Sequence, residues 1–102
     1  MQVTKINIDG ALVIEPKIFL DSRGSFCEAW NQNKLKDLCF LNINFVQENQ
    51  STSKIGVLRG LHYQLQNPQG KLVRVAHGRV LDVIVDLRKS SPSFGKYFSI
   101  EL

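Results

Sequence analysis

The residues most suited to chemistry lie just past the middle of the chain. Arg59, His62 and Gln64 occur among valine and leucine residues in Gly56–Gln64. Polar groups are costly where apolar residues pack, so their presence in an apolar run indicates a use. An imidazole with an ordinary pKa of about 6.5 can accept a proton near neutral pH. From these residues alone, His62 fits either a general base or a hydrogen-bonded core histidine.

The spacing of Arg59 and His62 adds a geometric condition. A strand over Val57–Gln64 places these two side chains on opposite faces, because side chains alternate along a strand. If both serve one pocket, the backbone must bend between them. Gly60 is the expected position, since a glycine inside a strand often marks a bulge.

The elements that position these residues are mostly β. Short runs of apolar residues separated by turn signals such as Asp9-Gly10 predict strands. One segment, 31–40, predicts a helix. Asn31 can cap it, and its apolar residues fall at the spacing of one helix face. Many short strands with one short helix predict a β-sandwich or barrel. The predicted strands are Val3–Ile8, Ala11–Ile14, Ser25–Trp30, Asn44–Ser51, Val57–Gln64, Leu72–Ala76, Val80–Leu87 and Tyr97–Leu102, with a tight hairpin at Ala76–Arg79.

Composition narrows the class of protein. The 102 residues, 43% of them hydrophobic, predict a folded domain. No apolar run nears the roughly 20 residues of a membrane helix, and the N-terminus lacks signal-peptide order, which predicts a cytoplasmic protein. The net charge of +4 is scattered and suits a dianion pocket better than nucleic acid. Cys27 and Cys39 are expected to be reduced and near the core, and with only His62 and His77 no metal is expected.

Five segments carry motifs in a fixed order. Phe19–Trp30, which contains F-L-D-S-R-G-S-F-C-E, is followed by Phe45–Ser51, Val57–Gln64, Gly70–Arg74 and Gly78–Gly95. This set resembles the dTDP-4-dehydrorhamnose 3,5-epimerase family of dTDP-sugar epimerases over nearly the whole chain. R-G-L-H alone is a weak motif, but five ordered segments are very hard to obtain by chance. The resemblance implies a cupin-like jelly roll, a double-stranded β-sandwich that is truncated here. Residues 1–102 would form one incomplete domain with a short helix near 32–39.

The reaction implied by the resemblance belongs to dTDP-rhamnose biosynthesis. It inverts carbons 3 and 5 of dTDP-4-dehydro-6-deoxy-glucose without a cofactor. Both carbons flank the carbon-4 ketone, so their protons can leave to form an enolate. A base, a group that stabilises the enolate oxygen and an acid are then sufficient.

The resemblance also implies roles for particular side chains. His62 matches the base, and Lys71 matches the residue near the ketone, although a solvated lysine is the alternative for Lys71. Arg59 and Arg23 match arginines that hold the diphosphate, where a guanidinium fork suits two phosphate oxygens. Surface salt bridges are the alternative for both arginines.

Further expectations concern the nucleotide and the subunit arrangement. Asp82 is placed beside the site or in a structural hydrogen bond. The segment with Arg23 and Glu28 is expected to reach the neighbouring subunit of a homodimer. The remaining matches are Gln47, Asn49 and Glu28 for nucleotide binding and Phe19 for packing against thymine.

The resemblance implies that the acid tyrosine, the aspartate that orients the histidine and a second histidine lie beyond residue 102 in the family. Two alternatives therefore stay open. One is a truncated chain that binds dTDP or self-associates without turnover. The other is a dTDP-sugar 3-epimerase or ketoisomerase.

Overall fold

The computed structural model describes residues 1–39 and 44–102. Its regular elements are six strands and one helix, so the predicted mainly β composition holds for this part of the chain. The strands form three antiparallel pairs. In chain order the elements are β1 Gln2–Lys5, β2 Leu12–Glu15, β3 Ile18–Asp21, β4 Gly24–Cys27, α1 Gln32–Cys39, β5 Leu81–Val85 and β6 Tyr97–Glu101.

The first hairpin, β1–β2, forms close to where the apolar pattern predicts it. Gln2 pairs with Glu15, and Lys5 pairs with Leu12. The chain reverses through Asp9-Gly10, where Gly10 has a φ of 76°, a left-handed value that glycine adopts without steric cost. This turn contributes Ile8, one of the few buried apolar side chains among the described residues.

The second hairpin contains a strand that the sequence pattern did not predict. Ile18–Asp21 pairs with Gly24–Cys27, and Asp21 lies opposite Gly24. Ser22 and Arg23 form the two-residue loop, as expected for the Asp21–Gly24 turn. Every side chain of β3 is exposed, so this strand lacks the alternation of buried and exposed residues that identifies a half-buried strand.

Helix α1 confirms the prediction of one short helix near 32–39. The Asn31 side-chain oxygen accepts a hydrogen bond from the Lys34 backbone N–H at 3.1 Å, as an N-cap does. Leu35 is buried, Cys39 is half-buried, and Leu38 is 43% exposed. The predicted last residue of the helix, Phe40, lies outside the described residues.

The third hairpin, β5–β6, also confirms its prediction. Leu81 pairs with Glu101 and Val85 with Tyr97. Val80 and Leu102 extend the pairing, because each donates its backbone N–H to the other's carbonyl at 3.0 and 2.9 Å.

Three predicted strands are wrong: Asn44–Ser51, Val57–Gln64 and Leu72–Ala76 contain no strand in this structure. A strand is defined by its ladder to a neighbour, and no described segment forms a ladder with these three. The predicted hairpin at Ala76–Arg79 is wrong for the same reason. Gly78 does bend the chain with a φ of 88°, but Leu72–Ala76 supplies no strand to pair with β5.

The chain divides into two compact units. One comprises Met1–Asn42 and Arg74–Leu102 and contains all the helix and strand residues. The other is Ile43–Val73, whose described residues are exposed apart from a half-buried Phe45. Across the described residues, Ile8 and Leu35 are the buried apolar side chains. No described helix is long and apolar enough to cross a membrane.

Candidate active site

Arg59 is held by the residues just before it in the chain. The Val57 N–H bonds the Lys54 carbonyl at 3.4 Å, and this turn brings Arg59 back towards Ser53. The Arg59 Nε–H donates to Ser53 Oγ at 2.9 Å, and Nη2 donates to the Thr52 backbone carbonyl at 3.3 Å. The side chain remains exposed. Arg59 therefore has a fixed orientation while part of its guanidinium stays accessible.

His62 lies beside the bend at Gly60. Gly60 has a φ of 106°, so the backbone turns at this residue, but no strand runs through it and the predicted bulge within a strand stays a prediction. A Cβ added to Gly60 would lie 3.5 Å from His62 Nδ1, which shows how closely the imidazole approaches the glycine backbone. His62 is exposed, and within the described part of the chain its side chain has no hydrogen-bond or ion-pair partner. This environment differs from that of a hydrogen-bonded core histidine.

Lys71, Gln47 and Asn49 lie in the same unit as Arg59 and His62. Lys71 is exposed, and among residues 1–39 and 44–102 its ammonium has no carboxylate partner. Gln47 Nε2 donates to Asn49 Oδ1 at 3.0 Å. That bond leaves the Gln47 carbonyl oxygen and the Asn49 amide group available to a ligand.

The turn between β3 and β4 carries Arg23. Its Nη2 lies 2.7 Å from Asp21 Oδ2, with side chains that are 87% and 51% exposed for Arg23 and Asp21. The Asp21 Oδ1 also accepts the Arg23 backbone N–H at 2.8 Å. The Arg23 side-chain hydrogen bond is the main cause that lowers the pKa of Asp21. The surface salt bridge anticipated as the alternative for Arg23 is therefore present.

Glu28 is tied to the start of helix α1. Its carboxylate lies 2.7 Å from Lys34 Nζ and accepts a hydrogen bond from Asn31 Nδ2 at 3.1 Å. The bond from Lys34, followed by that from Asn31, lowers the pKa of Glu28. These contacts keep Glu28 ionised and give it a defined position after β4.

Phe19 and Asp82 lie on strands of the larger unit. The Phe19 ring is 6.4 Å from the Phe26 ring across the β3–β4 pair, and Lys17 Nζ is 5.1 Å from the Phe19 centroid. Phe19 remains 51% exposed, so one face is open for packing. Asp82 is half-buried in β5, opposite Ile100.

A buried polar cluster after β5 escaped the sequence analysis. Asp86 is 3% exposed and accepts hydrogen bonds from Arg88, Ser91 and Ser93. Ser93 Oγ also accepts the Asp9 backbone N–H at 2.8 Å, which links the cluster to the β1–β2 turn. These bonds hold the pKa of Asp86 far below its usual range, with Arg88 as the largest cause. The spacing D-x-R-x-x-S-x-S was the available signal, because aspartate and serine favour such turn bonds.

The predicted site residues therefore lie in two groups. The unit Ile43–Val73 holds the proposed base, the proposed oxyanion stabiliser and one arginine, within 13 residues of chain between Arg59 and Lys71. Ser53 is a further polar residue of this group that sequence reasoning missed. The members of the groups are Gln47, Asn49, Arg59, His62 and Lys71 in one unit and Phe19, Arg23, Glu28 and Asp82 in the other.

Known structures of similar chains cover all or nearly all of this fold. A structure from Legionella pneumophila of dTDP-6-deoxy-D-glucose-3,5-epimerase in complex with dTDP-4-keto-L-rhamnose is 46% identical, with a TM-score of 0.93, over 99% of this chain and 54% of that one. A Bacillus anthracis dTDP-4-dehydrorhamnose 3,5-epimerase with TDP and PPi bound is 40% identical, with a TM-score of 0.91, over 99% and 58%. The mainly β, cupin-like fold is thereby confirmed.

Sequence comparison gives the same family. A dTDP-4-dehydrorhamnose 3,5-epimerase of Shigella flexneri is 52% identical over 100% of this chain and 57% of that protein. The chain spans about half the length of the curated relatives it matches. The family model described as dTDP-4-dehydrorhamnose 3,5-epimerase matches residues 5–102. This chain therefore belongs to the dTDP-4-dehydrorhamnose 3,5-epimerase family.

Proposed function

We propose that this protein epimerises carbons 3 and 5 of dTDP-4-dehydro-6-deoxy-glucose to give dTDP-4-dehydro-rhamnose. The observation that supports this proposal most directly is the family match over residues 5–102, which spans all the motif segments. The Legionella relative, similar over 99% of this chain, is described in complex with dTDP-4-keto-L-rhamnose. Its ligand supports the choice of a dTDP-linked 4-keto sugar as the substrate.

The proposed base is His62. Removal of a proton from carbon 3 or carbon 5 converts the carbon-4 ketone to an enolate, whose negative charge lies largely on the carbon-4 oxygen. A base must reach that proton and hold a free nitrogen lone pair. His62 is exposed and has no protein partner among the described residues, so one ring nitrogen of its neutral form is available. Return of a proton to the opposite face of the enolate completes each inversion.

Lys71 is the proposed stabiliser of the enolate oxygen. Negative charge accumulates on the carbon-4 oxygen as the proton leaves, and an ammonium beside that oxygen lowers the energy of the transition state. No described carboxylate neutralises Lys71, so its charge is available to substrate. No cofactor enters this chemistry, because the ketone itself accepts the electron pair.

Arg59 is the proposed diphosphate ligand of the same unit, with Gln47 and Asn49 on the nucleotide. The Bacillus anthracis relative is described with TDP and PPi bound, which supports a site for linked phosphates. The Gln47–Asn49 hydrogen bond, 3.0 Å long, orients two amides whose remaining groups can bind a pyrimidine or a ribose.

Residues 1–102 are proposed to be one incomplete cupin-like domain that acts in the cytoplasm. Nearly half of the Shigella flexneri and Pseudomonas aeruginosa relatives lies outside the matched region, and the proton-returning acid is placed there. General acid–base groups contribute roughly 100-fold to 10,000-fold each, so residues 1–102 tested alone are expected to turn over slowly. Exchange of substrate protons with solvent is then the most sensitive readout, since solvent can return the proton.

The proposed assembly is a homodimer in which the β3–β4 hairpin reaches the neighbouring site. Arg23 and Glu28 would help bind the neighbour's nucleotide there, with Phe19 against thymine and Asp82 beside the site in its own subunit. The exposed apolar side chains of this hairpin support a contact surface: Ile18, Phe19, Leu20 and Phe26. An exposed ion pair such as Arg23–Asp21 contributes little stability, so Arg23 can exchange Asp21 for a phosphate.

Light scattering tests the dimer with a matched pair of variants. The wild-type chain is expected at twice its mass of 11.6 kDa. Leu20→Asp, on the exposed hairpin, should give monomers, whereas Thr4→Asp on exposed β1 should leave the mass unchanged. A monomeric wild type, or dimers that tolerate both substitutions, would contradict this assembly.

Proton exchange tests the proposed reaction. The chain is incubated in D2O with dTDP-4-dehydro-6-deoxy-glucose, and the carbon-3 and carbon-5 protons are followed by NMR against a protein-free control. Loss of both signals above the control is expected. Loss at carbon 3 alone would assign a 3-epimerase instead. No loss, with dTDP still bound, would assign a nucleotide-binding protein without turnover.

A further inference from the structure

The guanidinium of Arg59 is held along one edge. Its Nε–H bonds Ser53 Oγ at 2.9 Å, and its Nη2 bonds the Thr52 carbonyl at 3.3 Å. Nε and Nη2 share one side of the planar guanidinium. Arginine has five N–H donors, so the end formed by Nη1 and the second Nη2 proton stays open. That end can bind two phosphate oxygens in parallel.

An exposed arginine without hydrogen-bond partners binds a phosphate with reduced affinity. Its long side chain populates many rotamers, and ordering them weakens the affinity for a ligand. A hydrogen bond made before the ligand arrives reduces that loss. In this structure the Ser53 hydroxyl is the side-chain group that makes such a bond, because Thr52 contributes only its backbone carbonyl.

We propose that Ser53 is a positioning residue that holds Arg59 with its open end directed to the diphosphate of the substrate. This role rests on the proposed function of Arg59. It explains why a hydroxyl lies six residues before the arginine, across the turn closed by Val57 and Lys54. Ser53 itself need not touch the nucleotide.

Titration calorimetry with dTDP tests the role through five variants of the full chain. Ser53→Ala is expected to weaken binding roughly 3- to 10-fold, the range for one hydrogen bond. Ser53→Thr, which keeps the hydroxyl, should bind within about twofold of wild type, the scatter expected when that bond is retained. Thr52→Ala is the matched control and should also leave binding unchanged. In an Arg59→Ala background, Ser53→Ala should have no further effect.

A second readout reports on the contact itself. The Arg59 Nε–H proton should exchange with water more slowly in the wild-type chain than in Ser53→Ala, as followed by 15N NMR. Equal exchange rates would overturn the proposal, as would equal dTDP affinities of the two proteins. The same weakening in the Arg59→Ala background would also overturn it, because Ser53 would then act independently of Arg59.

The outcomes separate this inference from the proposed function. If the wild-type chain does not bind dTDP, the proposed function fails and the role of Ser53 fails with it. If the wild type binds dTDP and Ser53→Ala binds equally well, only the role of Ser53 is lost.

Discussion

Arg59 and His62 are three residues apart and are proposed to do different work. The role proposed for Arg59 is to bind a charge that is present in both the ground state and the transition state, whereas the role proposed for His62 is to accept the proton that is transferred. Removal of Arg59 should therefore affect binding, and removal of His62 should affect the chemical step.

The dTDP affinities of variants at positions 59 and 62 test this difference. Arg59→Ala is expected to weaken dTDP binding roughly 10- to 100-fold, the range for hydrogen bonds to a charged group. His62→Ala should bind within a few-fold of wild type. Arg79→Ala is the control for the lost positive charge, because Arg79 lies 3.6 Å from Glu101 on the exposed β5–β6 side. Equal affinities of the Arg59 and His62 variants would count against the diphosphate role.

Residue types at this scale could be predicted from the sequence, but contacts could not. A glycine between Arg59 and His62 indicated a change of backbone direction, and Gly60 has a φ of 106°, although the strand in which a bulge was expected is not present. The bond between Arg59 and Ser53 depends on the turn at Lys54–Val57. That turn was not predicted, because the apolar pattern of Val57–Gln64 was interpreted as a strand.

At the level of elements, the polar cluster after β5 connects two turns that are distant in the sequence. Ser93 donates to Asp86 at 2.6 Å and accepts the Asp9 N–H at 2.8 Å, so one hydroxyl joins two distant turns. Because Ser93 is 4% exposed, loss of its hydroxyl removes one of the bonds to the buried Asp86 carboxylate and also the bond from the Asp9 N–H.

Ser93→Ala should lower the free energy of unfolding by about 1–3 kcal/mol, the range for loss of a hydrogen bond to a charged group together with a neutral one. Ser90→Ala, an exposed serine three residues earlier, should change it by less than about 0.5 kcal/mol. Urea denaturation measures both. Equal stabilities of the two variants would show that the cluster does not link the turns.

The same cluster sets a pH dependence. The pKa of Asp86 is lower in the folded chain than in the unfolded chain, so its stabilisation is present above the unfolded pKa, about 3.9. That stabilisation is lost as the pH falls below this value. Asp21 and Glu28 shift in the same direction but are more exposed to solvent. Asp86→Asn should therefore flatten the fall of Tm between pH 5 and pH 3, and an unchanged slope would contradict the assignment.

The hairpins and the helix, whose backbone hydrogen bonds form within one short segment or with a neighbouring strand, could be predicted from the sequence. Strands that need a partner strand from elsewhere could not. The β1–β2 and β5–β6 hairpins and helix α1 follow from turn residues, a cap and apolar spacing. The pattern at Val57–Gln64 predicts a strand correctly only if another strand pairs with it. Sequence periodicity describes the side chains and not the backbone partner, so it failed between residues 44 and 80.

At the scale of the whole chain, many large apolar side chains of the described residues are exposed, among them Leu20, Val46 and Ile55. Exposed apolar surface of this kind is typical of a protein that makes further contacts. Two-stranded sheets are marginally stable alone, and all three sheets of the described residues have two strands. These facts support both the homodimer and a domain completed by additional chain.

The most direct measurement compares the wild-type chain with His62→Ala in D2O. The substrate dTDP-4-dehydro-6-deoxy-glucose is supplied at a concentration that saturates the proposed nucleotide site. With the wild-type chain, the carbon-3 and carbon-5 proton signals of the substrate should disappear faster than in the protein-free sample. His62→Ala should match the protein-free sample while still binding dTDP. Exchange that persists with His62→Ala would show that His62 is not the base. If the wild-type chain binds dTDP but gives no exchange of the substrate protons, an epimerase site in this chain would be contradicted.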